Sequence, residues 1–151
     1  MILSDKVKGY LNEPDRINIL STSNKKGETD VAIFGTPKLS EKKQVTMVLQ
    51  DNSRSYANLM ENPNASCLVL VPGKSGNFMS GCRLYLKLGQ KEISKNPVFL
   101  EERKKGDKTE WEKGFNVMLE EEEEKRSFPD RHLILFDVVE ARPIVDRGQG
   151  I

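Results

Sequence analysis

Ser53, Arg54 and Ser55 stand where an apolar run, "QVTMVLQ", gives way to a short helical pattern, "RSYANLME", that stops before Pro63. Serine is a favoured helix N-cap, because its hydroxyl accepts from a backbone N–H two or three residues on. The first turn of such a helix carries N–H groups without intrahelical partners, at the positive end of the helix dipole. That is a natural seat for a phosphate. Arg54 would add a planar, permanently charged fork that matches phosphate oxygens, and Ser55 a further hydroxyl. The plainer alternative is a serine that caps only its own helix and an arginine that stands in water. These three residues alone do not separate the two.

Other chemistries find little support. The sequence has no GxSxG, no CxxC, no cysteine–histidine pair and no paired carboxylates in an apolar setting. His132 is the single histidine, so a zinc site would have to be built largely from carboxylates. Cys67 and Cys82 both fall in apolar, strand-like segments and are expected to be buried, reduced and structural. A chain without its own acid–base or nucleophilic constellation fits a protein whose chemistry belongs to a cofactor.

The elements that must position these residues follow from hydrophobic period and turn signals. Residues 3 to 12 have apolar residues at helical spacing, and Pro14-Asp15 ends the pattern. "INILSTS" and "TDVAIFGT" read as strands joined by the turn "NKKGE", and "QVTMVLQ" as a third strand. A short helix is expected over about 54 to 61. "ASCLVLV" and the alternating "CRLYLKLGQKEI" read as strands, with Leu84, Leu86 and Leu88 on one face of the latter. In the third strand, period alone assigns Val48 to the core. Residues 95 to 128 are highly charged and are expected to be a helical insertion, with an acidic run at 120 to 124. The last strand spans 133 to 139, followed by an irregular tail.

These elements make about six strands and two to four helices. The strands mostly follow one another through turns, which argues against a doubly wound parallel sheet. The expected fold is mainly β: an antiparallel sheet curled into a barrel, with helices packed outside.

The 151 residues fit a single domain. Hydrophobic residues are 36% and charged residues 31%, with a formal net charge of +1, so no global field recruits nucleic acid or an anionic membrane. The opening "MILSDKVKGYLNEPD" is too polar for a signal peptide, and no apolar run approaches a membrane span. The expectation is a cytoplasmic protein.

The order of these segments resembles the FMN-binding split barrels, the pyridoxamine 5'-phosphate oxidase-like family. In that family a Ser-Arg-Lys/Thr segment after the third strand grips the FMN phosphate, and the helix runs on through Asn-Leu to Asn-Pro. Here the matching residues are Ser53-Arg54-Ser55, Asn58-Leu59 and Asn62-Pro63. The hairpin "LSTSNKKGETDVAIFG" and the tail "LFDVVEARPIVDRGQG" are similar to the family's first hairpin and last strand. The resemblance covers most of residues 2 to 93 and 132 to 150. It implies an antiparallel split β-barrel that binds FMN and a place among FMN-dependent oxidoreductases.

The resemblance also implies a cofactor site. Ser53, Arg54 and Ser55 would hold the phosphate, with Asn58 in the same motif. Backbone groups of Ile33, Phe34, Gly35 and Thr36 would face the flavin ring, with Gly35 alternatively a strand glycine at a bulge. Val48, Leu49 and Gln50 would lie along the ribityl chain and ring, and Arg83 near the ring's polar edge. Trp111, the only tryptophan, would stack on the ring across an interface or dock on its own barrel. A homodimer with the flavin at its interface is implied, with a small-molecule or redox-protein electron partner.

Two departures qualify the match. Ser55 replaces the usual Lys or Thr, which keeps a hydroxyl but drops a possible charge. Arg131, His132 and Arg142 do not reproduce the substrate-holding Arg/His set of true pyridoxamine phosphate oxidases. The alternatives are a non-catalytic flavin sensor or carrier, or one of the deazaflavin- or haem-binding members of the wider superfamily.

Overall fold

Seven strands in the computed structural model hydrogen-bond in the order β2-β1-β5-β6-β7-β4-β3, every pair antiparallel. They are β1 (Ile17–Ser23), β2 (Thr29–Phe34), β3 (Lys38–Leu39), β4 (Val45–Gln50), β5 (Asn64–Val71), β6 (Ser80–Ile93) and β7 (Arg131–Pro143). Among the described residues two helices accompany them, α1 (Asp5–Asn12) and α2 (Arg54–Glu61). The structure describes residues 3–34, 37–40, 44–73, 79–93 and 131–151. Gly35, Thr36, Trp111 and the charged segment at 95–128 lie outside the described residues.

Local chemistry accounts for the elements. Ser4 caps α1, its hydroxyl accepting from Val7 N at 3.3 Å, and the helix buries Val7 and Leu11. Asn24 folds the β1–β2 turn, its side-chain oxygen accepting from Lys26 N and Glu28 N, each at 3.0 Å. Gly27 supplies the positive φ of 81° that the turn needs.

The sheet is curled, with its concave face filled. Strict alternation in β1 turns Asn18, Leu20 and Thr22 inward, and β7 turns His132, Ile134 and Phe136 inward. Helix α1 packs on β3 at one end of the order and on the interior strands β5 and β6, and α2 on β1 and β2 at one end and β4 towards the other. Arg16, buried at the start of β1, donates from Nη2 to Pro37 O at 2.7 Å and ties the two ends together. Among the described residues the outer strands β2 and β3 do not pair with each other. The architecture is an antiparallel split barrel flanked by helices.

Several expectations need correction. The sheet has seven strands, because Lys38–Leu39 forms a two-residue β3 too short to show a pattern. The last strand runs on to Pro143 rather than stopping at residue 139. Its extension was hidden by a bulge: Tyr85 pairs Glu140 but Leu86 pairs Val138, which leaves Val139 unpaired and exposed. In β4, Val45, Met47 and Leu49 are fully buried while Val48 is only half-buried, so Val48 is not the core residue that period assigned. Both cysteines are buried and free, as expected.

Candidate cofactor site

The candidate site is built where β4 runs into α2. Ser53 is the N-cap of that helix, with extended backbone angles, and its Oγ accepts from Tyr56 N at 3.1 Å. The same hydroxyl donates to Gln50 O at 2.7 Å, and Ser53 N donates to Gln50 O at 3.1 Å. The serine therefore locks the helix onto the end of β4. With the Tyr56 N–H taken by the cap, the Arg54 and Ser55 N–H groups remain outside the helix's own hydrogen bonding. Arg54 occupies the first helical position and is exposed.

The helix is held from below at three further points. Asn58 is buried and donates from Nδ2 to Thr22 Oγ1 at 3.1 Å. Leu59 is buried in the core. Tyr56 stacks on His132, with ring centroids 4.4 Å apart and planes 21° from parallel. His132 has only 6% of its surface exposed, and its buried Nδ1 has no hydrogen-bond partner among the described residues.

The fold places the anticipated residues unevenly around this point. Ser53, Arg54, Gln50 and Val48 come together at the junction of β4 and α2, with partly or fully exposed side chains. Ser55 is 2% exposed and Asn58 5%, so both offer almost no side-chain surface to a ligand in this conformation. Leu49 is 1% exposed and faces the core. On β2, Ile33 is exposed and Phe34 packs against the core. Because β2 is an edge strand, half of its backbone polar groups point away from the sheet.

Arg83 is engaged elsewhere. Its Nη2 lies 3.1 Å from Asp146 Oδ2, and its Nε donates to Pro143 O at 3.0 Å. Arg142 Nε reaches the same Asp146 oxygen at 3.1 Å. Asp146 is held below the usual carboxylate range, first by the Gly148 N–H bond and then by Arg142 and Arg83.

Two residues stand at the site in a way the sequence did not show. Tyr56 looked like a generic apolar helix position; its stacking partner is 76 residues away and invisible to local pattern. Arg131 stands directly across the β4–β7 ladder from Gln50, and burial pulls its guanidinium below the usual range. The signal for it was a basic residue at the start of a strand, which becomes informative only once register is known.

No protein-family model matches the sequence, and no curated protein matches it significantly. Solved structures do. An FMN-binding protein from Syntrophomonas wolfei superposes with a TM-score of 0.63 at 19% identity, covering 94% of this chain and 86% of that one. An F420 reductase gives 0.62 at 16% identity, covering 95% and 97%. A pyridoxamine 5'-phosphate oxidase-like protein from Listeria innocua gives 0.53 at 11% identity, covering 93% and 96%.

The fold is the pyridoxamine 5'-phosphate oxidase-like split barrel. At these identities the likeness is one of fold, and any ligand must be argued from this chain's own residues. In this split barrel the exposed guanidinium of Arg54 at the start of α2, the positive end of the helix, fits an anionic group such as a phosphate. Among the described residues no group of three or more His, Cys, Asp or Glu is placed to hold a metal ion. None of their helices is long and apolar enough to cross a membrane.

Proposed function

We propose that this split barrel binds FMN and acts as an FMN-dependent oxidoreductase on a small molecule or a redox-protein partner. The observation that carries the reading is the exposed Arg54 at the first position of α2, directly behind the Ser53 cap. Ser53 fixes the geometry, while the Arg54 guanidinium and the N–H at the exposed start of the helix hold the phosphate. Val48 and Gln50 lie beside that seat on β4, suited to the ribityl chain. The outer backbone edge of β2 is suited to the polar rim of the ring near Ile33 and Phe34, where Phe34 O also accepts from Asn18 Nδ2 at 3.3 Å, and Gly35 and Thr36 come next in the sequence.

Bound FMN would supply the hydride and electron transfer; this chain's residues bind it, orient it and shield one side. A homodimer is part of the proposal. On the convex face Ile33, Ile19 and Leu68 form one cross-strand row of β2, β1 and β5, with Val31 beside Ile33. Val31 is 68% exposed and Ile33 49%, an apolar strip that a second copy would cover.

Visible absorption of the purified protein, before and after soaking with FMN, tests the reading beside an Arg54→Ala variant. Bound-flavin bands in the wild type that weaken in the variant support it, and reduction of that flavin by NAD(P)H supports turnover over mere carriage. A wild type that takes up no FMN overturns it.

A further inference from the structure

We propose that the stacked pair Tyr56–His132 is the positioning device of the phosphate seat, holding the first turn of α2 at the angle from which its N–H groups and Arg54 meet a phosphate. This rests on the reading of Ser53–Arg54 as that seat.

Tyr56 is the third residue of the helix, and its own N–H is the one the Ser53 hydroxyl caps. Anything that fixes Tyr56 therefore fixes the cap and the first turn of the helix, Arg54 included. His132 supplies the fixed end. It sits on β7 opposite Leu49, in the inward row that continues through Ile134 and Phe136, both with 0% exposure. The imidazole is thus the last layer of the core beneath the helix end. Among the described residues its buried Nδ1 has no hydrogen-bond partner, and the contact that joins it to the helix is the face of its ring. Offset stacking of two rings limits tilt and rotation more than an aliphatic contact would. The Asn58–Thr22 bond pins the middle of the same helix to β1, so the stack controls the end that faces the ligand.

A merely structural role would weaken every ligand alike. A positioning role at the phosphate end separates FMN from riboflavin, which is the same flavin without the phosphate. The test titrates both, by quenching of flavin fluorescence, into the wild type, His132→Ala and His132→Phe. It also follows amide hydrogen exchange at Tyr56 and Ala57, whose N–H groups bond to Ser53 Oγ and Ser53 O. His132→Ala is expected to weaken FMN at least tenfold while riboflavin changes less than twofold, and to speed exchange at both amides. His132→Phe, which keeps a flat ring, is expected to stay within threefold of the wild type in both measurements. Should His132→Ala fail to fold, Tyr56→Leu removes the stack from the helix side and carries the same expectation.

Equal weakening of FMN and riboflavin, no rescue by phenylalanine, or unchanged exchange would each overturn the proposal. A wild type that binds FMN no better than riboflavin overturns the phosphate seat instead, and the exchange measurement then still decides whether the stack holds the helix end.

Discussion

The Asn58 side-chain amide donates to the Thr22 hydroxyl at 3.1 Å, and the two residues, 36 apart in sequence, are both buried. The bond joins α2 to β1 across an otherwise apolar contact that includes Leu59 and Leu20. Truncating one partner leaves the other polar group buried without its mate. Asn58→Leu or Thr22→Val is therefore expected to cost about 1–3 kcal/mol. The double substitution Asn58→Leu/Thr22→Val should recover part of that loss. Urea denaturation of the four proteins checks this, and strictly additive losses would show that the bond is not a coupled unit.

Ser53 and Arg54 should separate stability from binding. Ser53→Ala removes both the cap on Tyr56 N and the bond to Gln50 O, and is expected to cost about 1 kcal/mol of stability. Arg54→Ala removes an exposed side chain and should leave stability within about 0.5 kcal/mol. Its effect is expected on FMN affinity instead, at least tenfold. Thermal unfolding and flavin titration on the same two variants check both halves.

The cysteines give a pH signature. Burial pushes the Cys67 thiol up from 9.0 to about 12, with Cys82 adding to the rise and Arg16 opposing it. Burial alone pushes Cys82 up to about 11. A folded-state value above the unfolded one means stability fully present below pH 9 and lost as pH rises toward those values. Stability should therefore fall between pH 9 and 11, and Cys67→Ala should flatten that fall. Below pH 9, iodoacetamide should label neither thiol until the chain is unfolded.

Much of this architecture was legible because its signals are local. "INILSTS" alternates cleanly and forms β1 at the expected limits, and α2 runs from Arg54 to Glu61 as its cap and Pro63 indicate. What escaped was set by register. Val48 and Leu49 are adjacent and both apolar, so composition cannot say which turns inward; pairing of Leu49 with His132 decides it. Glu140 and Arg142 looked like tail residues because they are charged. They continue β7 on the convex side, where Arg142 pairs with Glu140 at 3.0 Å and with Asp146. The phosphate seat was visible as Ser-Arg-Ser after a strand. The His132 stack beneath it was not, since nothing in either local sequence points to the other ring.

Gly81 and Gly27 both have positive φ but differ in what surrounds them. A Cβ at Gly81, where φ is +143°, would run into the Val69 carbonyl oxygen of the paired strand, whereas Gly27, at +81°, faces open space. Gly27→Ala is expected to cost about 1 kcal/mol from the left-handed backbone alone. Gly81→Ala adds a backbone collision that no side-chain movement relieves. It should cost more than about 3 kcal/mol. Thermal melts of the two variants check the difference, and equal losses would mean that β5 and β6 separate at little cost.

The convex strip gives the last prediction. Val31 and Ile33 lie on edge strand β2 with most or half of their surface exposed, and neither belongs to the core cluster. A charge there is therefore expected to leave the fold intact while repelling a second copy across a shared two-fold axis. Val31→Asp/Ile33→Asp should shift the protein from dimer to monomer in light scattering, with its melting temperature at low concentration little changed. If the flavin lies at that interface, the same variant loses FMN affinity although the Ser53–Arg54 seat is untouched. A wild type already monomeric at tens of micromolar would remove the dimer from the proposed function, and a variant that stays dimeric would move the interface to another face.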